Sequence, residues 1–192
     1  MPYLKKPAPC PEPIDCKILT AALDLFVEKG YYNVSIHEIQ KQADVSIGSI
    51  YRHFKGKEGV AKALYLHVLN EVDELIDAVV LEKLEPVDQL EEIIKQLFEY
   101  TETHPQIISF IFYTKHTDFL PSEPLMFDAE PFNRIKAMIF DVVDTNNNVV
   151  STSFIMGGMI RMIQLRLDGF LADPLVDSLD VFMNNLWSLK SK

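Results

Sequence analysis

The chain has 192 residues, 48% hydrophobic and 24% charged, a balance that supports a packed core and excludes disorder as the overall state. Its longest apolar run, Ile107–Tyr113, falls far short of the roughly 18 residues a spanning helix needs, so no membrane span is expected. The formal net charge of −10 is unevenly placed: residues 1–60 hold eight Lys/Arg against seven Asp/Glu, residues 61–192 ten against twenty-one, so the two parts face different partners.

Residues 1–13 carry Pro2, Pro7, Pro9, Pro11 and Pro13 and read as an extended arm. Lys5 and Lys6 on it are expected to be a solvated tail. No apolar segment follows these lysines, so no secretory signal is expected. Cys10 and Cys16 match no zinc spacing, and a reducing cytoplasm is the expected location. With Asp15 as its N-cap, a helix then begins whose Ile18, Ala22, Leu25 and Phe26 share one face. Lys29 and Gly30 close it. Ser35-Ile36-His37-Glu38 is a capping box that opens a second, short helix with Ile36, Ile39 and Ala43 inward. Asp44 and Val45 form a turn. Ser46 caps a third helix with Ile50 and Phe54 inward, and Lys55-Gly56 breaks it. A fourth helix runs from Lys57 to about Leu81. Five more are expected at about Val87–Thr103, Pro105–His116, Pro131–Asp144, Val149–Phe170 and Pro174–Leu189, punctuated by prolines, with Thr117 to Glu130 as a loop. The fold class is all-α: a proline-rich arm (1–13), a small helical bundle (14–58) and a larger helical region (59–192).

Two short helices joined by a tight turn after a longer one make a helix-turn-helix arrangement. The second short helix must be narrow and polar on one side to enter a major groove. Its outward positions here are Ile47, Gly48, Ser49, Tyr51, Arg52 and His53. Hydroxyls and a guanidinium can bond base edges or phosphates, and Ile47 offers an apolar contact to a thymine methyl. Gly48 removes bulk and lets backbone come close. Ser46 caps a helix whose free amides suit a phosphate, and Lys57 adds a charge at a further helix start. His37 sits early in the preceding helix. Three-helix bundles with polar faces also serve purely structural ends, so the shape alone leaves DNA binding open.

The run Ile18 to Leu64 resembles the DNA-binding domain of the TetR family of transcriptional regulators. The residues that carry the likeness are Ala22, Leu25 and Phe26; Glu28, Gly30 and Tyr31; Ser35 and Ile39; Ala43, Val45 and Ser46; Gly48, Ser49, Ile50, Tyr51, His53 and Phe54; and Lys57 with Glu58. Asp44 departs from the glycine usual in the turn, but aspartate tolerates the left-handed conformation; Gln40 replaces a common alanine. The resemblance implies DNA contacts by Ser46, Ile47, Gly48, Ser49, Tyr51, Arg52, His53 and Lys57, with Ser35 and His37 from the preceding helix. Arg52 is expected to help set sequence preference, and Tyr51, His53 and Lys57 to hold phosphates. It also implies a homodimer on palindromic double-stranded DNA, its two reading helices roughly 34–36 Å apart or a multiple of that. The acidic remainder would be repelled by DNA, leaving the basic tip to approach it.

Past Leu64 only the helical pattern remains. The resemblance implies a small-molecule pocket there and a dimer face on the last two helices. Gly157-Gly158 would permit close helix approach, and Asp168-Gly169 resembles a family feature. Leu175, Leu179, Phe182, Met183, Leu186 and Trp187 form a stripe wide enough for a subunit face, or for an ordinary core. Aromatic and methionine side chains crowd the middle, Met126 and Phe127 among them, and Phe98, Phe110, Tyr113 and Met159 are the candidate effector contacts. His104, His116 and Asp118 share no helical face, so no metal is expected, and neither a cofactor nor an enzymatic nucleophile motif is legible. The expected function is a DNA-binding regulator, a repressor released by a hydrophobic small molecule. The alternative is a dimeric DNA- or protein-binding scaffold of the same fold that takes no effector.

Overall fold

The computed structural model describes residues 13–120, 129–143 and 148–187. Most of the proline-rich arm, with Lys5, Lys6 and Cys10, lies outside the described residues, as do Met126, Phe127, Asp144 and Leu189. Among the described residues the secondary structure is helical, in agreement with the all-α reading. The helices are α1 (Pro13–Lys29), α2 (Ile36–Ala43), α3 (Ile47–Phe54), α4 (Lys57–Leu81), α5 (Pro86–Thr103), α6 (Pro105–Tyr113), α7 (Glu130–Val142), α8 (Asn148–Leu167) and α9 (Leu179–Trp187).

Three ends differ from the pattern read in the sequence. α6 stops at Tyr113 and gives way to a 3-10 turn, His116–Asp118, in which the Asp118 N–H reaches Lys115 O at 3.0 Å. α8 stops at Leu167, where Gly169 adopts φ 77 and the Phe170 N–H returns to Leu165 O at 2.8 Å; this closure needs a left-handed residue. The last helix is preceded by a 3-10 turn, Leu175–Ser178, whose Leu175 N–H donates to the carboxylate of Glu102 at 3.0 Å. Asp15 is not the cap of α1 but sits in its first turn, behind Pro13.

The chain divides into two compact units, Met1–Asn70 with Gln106–Leu125, and Glu71–Pro105 with Met126–Lys192. The first unit runs past residue 58 to Asn70 and takes in α6. Its Phe110 stacks on Phe26 of α1 at 5.7 Å between ring centroids and on Phe119 at 6.0 Å, with Tyr31 and Tyr65 against Phe119. Ile18, Leu19, Ala22, Leu23 and Phe26 of α1 are buried beside Ile39 and Ile50, so one apolar core holds the three N-terminal helices together.

The second unit has its own core of Leu90, Ile93, Phe98, Ile135, Ile139, Met159 and Leu175. Two arginines tie it across long sequence distances. Arg166 of α8 grips Glu102 of α5 through Nε at 2.8 Å and Nη2 at 2.9 Å, and donates to the carbonyls of Leu171 and Ala172. Arg134 of α7 binds Asp73 and Asp77, with 2.7 Å to the latter.

Candidate nucleic-acid interface

α2 and α3 are each eight residues long, too short to persist without caps and a core. Both receive caps. At α2 the Ser35 N–H donates to Glu38 Oε2 at 2.8 Å and the Glu38 N–H returns to Ser35 Oγ at 3.2 Å, the reciprocal box read from the sequence. That backbone bond, then Lys29 Nζ at 2.9 Å, then the Ser35 hydroxyl hold the Glu38 carboxyl down from 4.5 to about 2. α2 ends on Asp44 at φ 53 and ψ 52, so the aspartate adopts the left-handed turn where glycine is usual. Ser46 then caps α3, its Oγ accepting from the Ser49 N–H at 3.1 Å. α3 ends on a second left-handed residue, Lys55 at φ 65, and Gly56 follows at φ 131.

The caps point one face of α3 outward. Gly48, Tyr51 and Arg52 are exposed, Tyr51 by 52%, and Ser46 stands exposed at its start. Ile47 and Ser49 are half-buried, and Ser35 and His37 of the preceding segment are exposed. A Cβ at Gly48 would meet nothing nearer than Ser46 Oγ at 3.7 Å, so the fold itself does not require glycine there.

Two residues expected to hold phosphates are engaged inside the unit. Lys57 Nζ donates to Tyr31 O at 3.0 Å and Val34 O at 2.9 Å and lies 4.2 Å from the Tyr31 ring centroid. Burial pulls its pKa down, and the same burial raises the Tyr31 phenol to about 12. His53 is 13% exposed, its Nδ1 within 2.7 Å of Asp15 Oδ1 on α1. In each case a polar atom buried beside a partner loses less free energy by pairing internally than by waiting unpaired for a ligand.

Sequence patterns missed two contributors. Asp15 reads as a cap and is instead a buried carboxylate facing α3. Gly59 carries no motif, yet a Cβ there would fall 1.6 Å from the carbonyl oxygen of Phe54, so glycine is what lets α4 start against the end of α3.

Residues 18–64 match the family described as bacterial regulatory proteins, tetR family. Over that segment the chain is of that family. The matched segment is α1 to the early part of α4, the same residues that build the capped pair and its support. The chain is 28% identical over 98 residues to the probable HTH-type transcriptional regulator YttP of Bacillus subtilis (strain 168), which covers 50% of this chain and 47% of that protein. It is 30% identical over 82 residues to the fatty acid metabolism regulator protein of the same strain, covering 43% and 42%. It thus spans about half the length or less of these curated relatives. Among solved structures, a TetR-like transcriptional regulator from Rhodococcus sp. RHA1 superposes with a TM-score of 0.74 at 16% identity, over 98% of this chain and 100% of that one. FadR from Bacillus subtilis, crystallised with stearoyl-CoA, gives 0.66 at 18% identity over 90% and 97%. At such identities the likeness establishes a shared all-α fold, an N-terminal helix-turn-helix followed by a larger helical region.

The candidate effector residues fall in both units. Phe98 and Met159 are buried in the second, and Phe110 is buried in the first, where Tyr113 is 55% exposed. None of them lines the cavity of about 360 Å³ between α8 and α9, although Phe98 packs edge-on against Phe182, which does. Of the expected α9 stripe, Leu175, Leu179, Met183 and Leu186 face the unit's own core, and Phe182 and Trp187 are half-buried. The glycine pair is not needed for helix approach within the chain: a Cβ at Gly157 meets nothing within 4 Å and one at Gly158 only ordinary contact. Among the described residues no group of three His, Cys, Asp or Glu is placed to hold a metal ion.

Proposed function

We propose that this chain is a DNA-binding transcriptional repressor that reads a palindromic operator as a homodimer and is released by a small, mostly hydrophobic effector. The observation that carries the reading is the exposed face of α3, where Gly48, Tyr51 and Arg52 stand outward behind a serine-capped helix start. Gly48 supports it separately: its own fold leaves room for a side chain there, so close approach to a duplex accounts for the glycine better than packing does. Arg52 offers base readout and Tyr51 a phosphate contact, with Ser35, His37, Ser46, Ile47 and Ser49 at the margins. His53 and Lys57 support these from behind.

A second copy of the chain is the proposed occupant of the outer face of α8. Val150, Phe154, Gly157 and Arg161 recur there at i, i+4, i+7 and i+11, all exposed, beside Val181 of α9. A palindrome needs two chains related by a two-fold axis, and an isologous interface needs one self-complementary patch of this kind. The effector reading rests on the apolar, aromatic interior around Phe98 and Met159, and gains support from FadR, whose structure holds stearoyl-CoA. A lever-like movement of α4 would carry the effector's influence, and linkage then requires effector and operator to weaken each other by the same factor.

The test is enrichment of a random duplex pool by the full chain, followed by its mass on the enriched duplex. Two chains on a palindrome is the expected result. A solitary chain, or no enriched sequence, overturns the proposal. A palindrome bound by two chains whose affinity no hydrophobic ligand alters would favour the effector-free scaffold.

A further inference from the structure

The strongest unassigned feature of the molecule is a line of three polar side chains from the buried start of α1 to the exposed face of α3. Asp15 is 4% exposed. Its Oδ1 lies 2.7 Å from His53 Nδ1, at ion-pair distance but without the alignment of a hydrogen bond, and no other group hydrogen-bonds to that oxygen. On the opposite edge of the same imidazole, Arg52 directs Nε at 3.3 Å and Nη2 at 3.2 Å toward His53 Nε2.

The chemistry of the two ends fixes the middle. A guanidinium only donates, so Nε2 must accept, and the ring's proton then sits on Nδ1, facing an acceptor-only carboxylate. An imidazole with the proton on the other nitrogen would set an N–H against the Arg52 fork. Asp15 thus selects the tautomer of His53, and the tautomer decides whether His53 attracts Arg52 or repels it. The side edge of Arg52, made of Nε and Nη2, is the one committed to His53. The end edge, Nη1 with the second Nη2 proton, is left for two acceptors of one base, as in bidentate readout of guanine O6 and N7. An exposed arginine otherwise samples many rotamers, and this contact removes much of that freedom before any duplex arrives.

We infer that Asp15, acting through His53, is a positioning residue for sequence selection: it aims Arg52, although it lies buried on a helix that presents no reading face. The inference rests on the DNA-binding reading above and adds to it a specificity role for two residues that need not touch DNA.

The experiment compares enrichment of a random duplex pool by the full-length wild-type chain and by Arg52→Ala, Asp15→Asn and His53→Asn. Asp15→Asn keeps the shape but no longer selects the tautomer. His53→Asn keeps an N–H toward Asp15 and lacks the acceptor for Arg52. Both are expected to lose preference about tenfold at the one base pair per half-site where Arg52→Ala loses it, the other positions staying as in wild type. Binding to a non-operator duplex at low salt and the unfolding temperature should hardly move. Wild-type preference retained by both variants overturns the inference, as does a loss spread evenly over all positions in step with a lowered unfolding temperature, which marks a merely structural pair. The two levels of failure are separable. A wild-type chain that enriches nothing, or an Arg52→Ala chain that loses no preference, overturns the reading of α3 itself and this inference with it.

Discussion

The N-terminal unit and the second unit hold their helices in opposite ways. In the first, short helices are closed by neighbours in sequence: Ser35 with Glu38, Ser46 with Ser49, and left-handed residues at Asp44 and Lys55. In the second, longer helices are tied by pairs some sixty residues apart, Arg166 with Glu102 and Arg134 with Asp73 and Asp77. Local closure suits a small element that must present one face to a partner, because each cap fixes an end without covering the outside of the helix. Distant pairing suits a body whose work lies in its interior.

Three substitutions and a titration sharpen or break this contrast. Gly59→Ala should have the largest effect, because its Cβ collides with backbone at Phe54 and no flexible side chain is there to yield. Overpacking of this kind costs about 3 kcal/mol. The unfolding temperature should drop by about 10 °C, and the reading face should shift with it; an unchanged melting curve would show that α4 does not need glycine against α3.

Glu102→Leu comes next. It strands the Arg166 guanidinium and the Leu175 N–H in a partly screened site, at a cost of about 2 kcal/mol. Denaturant unfolding should show the loss while low-salt binding to duplex stays close to wild type. If duplex binding fell while stability held, the contrast between the two units would be wrong. Lys57→Met should destabilise the first unit by about 1–2 kcal/mol, since Tyr31 O and Val34 O lose their donor. It should leave the slope of log affinity against log salt unchanged, whereas a phosphate-holding lysine would lower that slope by about one.

The smallest effect is a pH dependence at the α2 box. Glu38 is held at about 2 in the folded chain against 4.5 when free, so its contribution is full above pH 4.5 and is lost as the pH falls through 2. The gap in unfolding temperature between wild type and Glu38→Gln should therefore close over that window; a gap independent of pH would mean that ionisation of Glu38 contributes nothing to stability.

The capped helices were legible because their signals are short in sequence. Ser35 and Glu38 are three residues apart, and Lys29 with Gly30 ends α1 without help from elsewhere. α4 was legible in full because one apolar pattern runs unbroken from Lys57 to Leu81. What escaped depends on partners far along the chain. The placement of α6 with the first unit is decided by Phe110 meeting Phe26 and Phe119. The inward turn of His53 is decided by Asp15, 38 positions earlier, and that of Lys57 by carbonyls of Tyr31 and Val34. The turn ahead of α9 is held by a carboxylate on α5. A residue pattern on one helix records which side is polar, but not whether a buried group elsewhere claims the polar atom first.

The central claim is that the outer face of α3 is what meets the duplex. The direct measurement is the affinity of the full chain for its own enriched duplex at fixed salt, wild type against the double variant Tyr51→Ala, Arg52→Ala. Neither side chain is buried, so the fold should hold while affinity falls by about a hundredfold or more. A folded double variant that binds the same duplex as tightly as wild type would contradict the account.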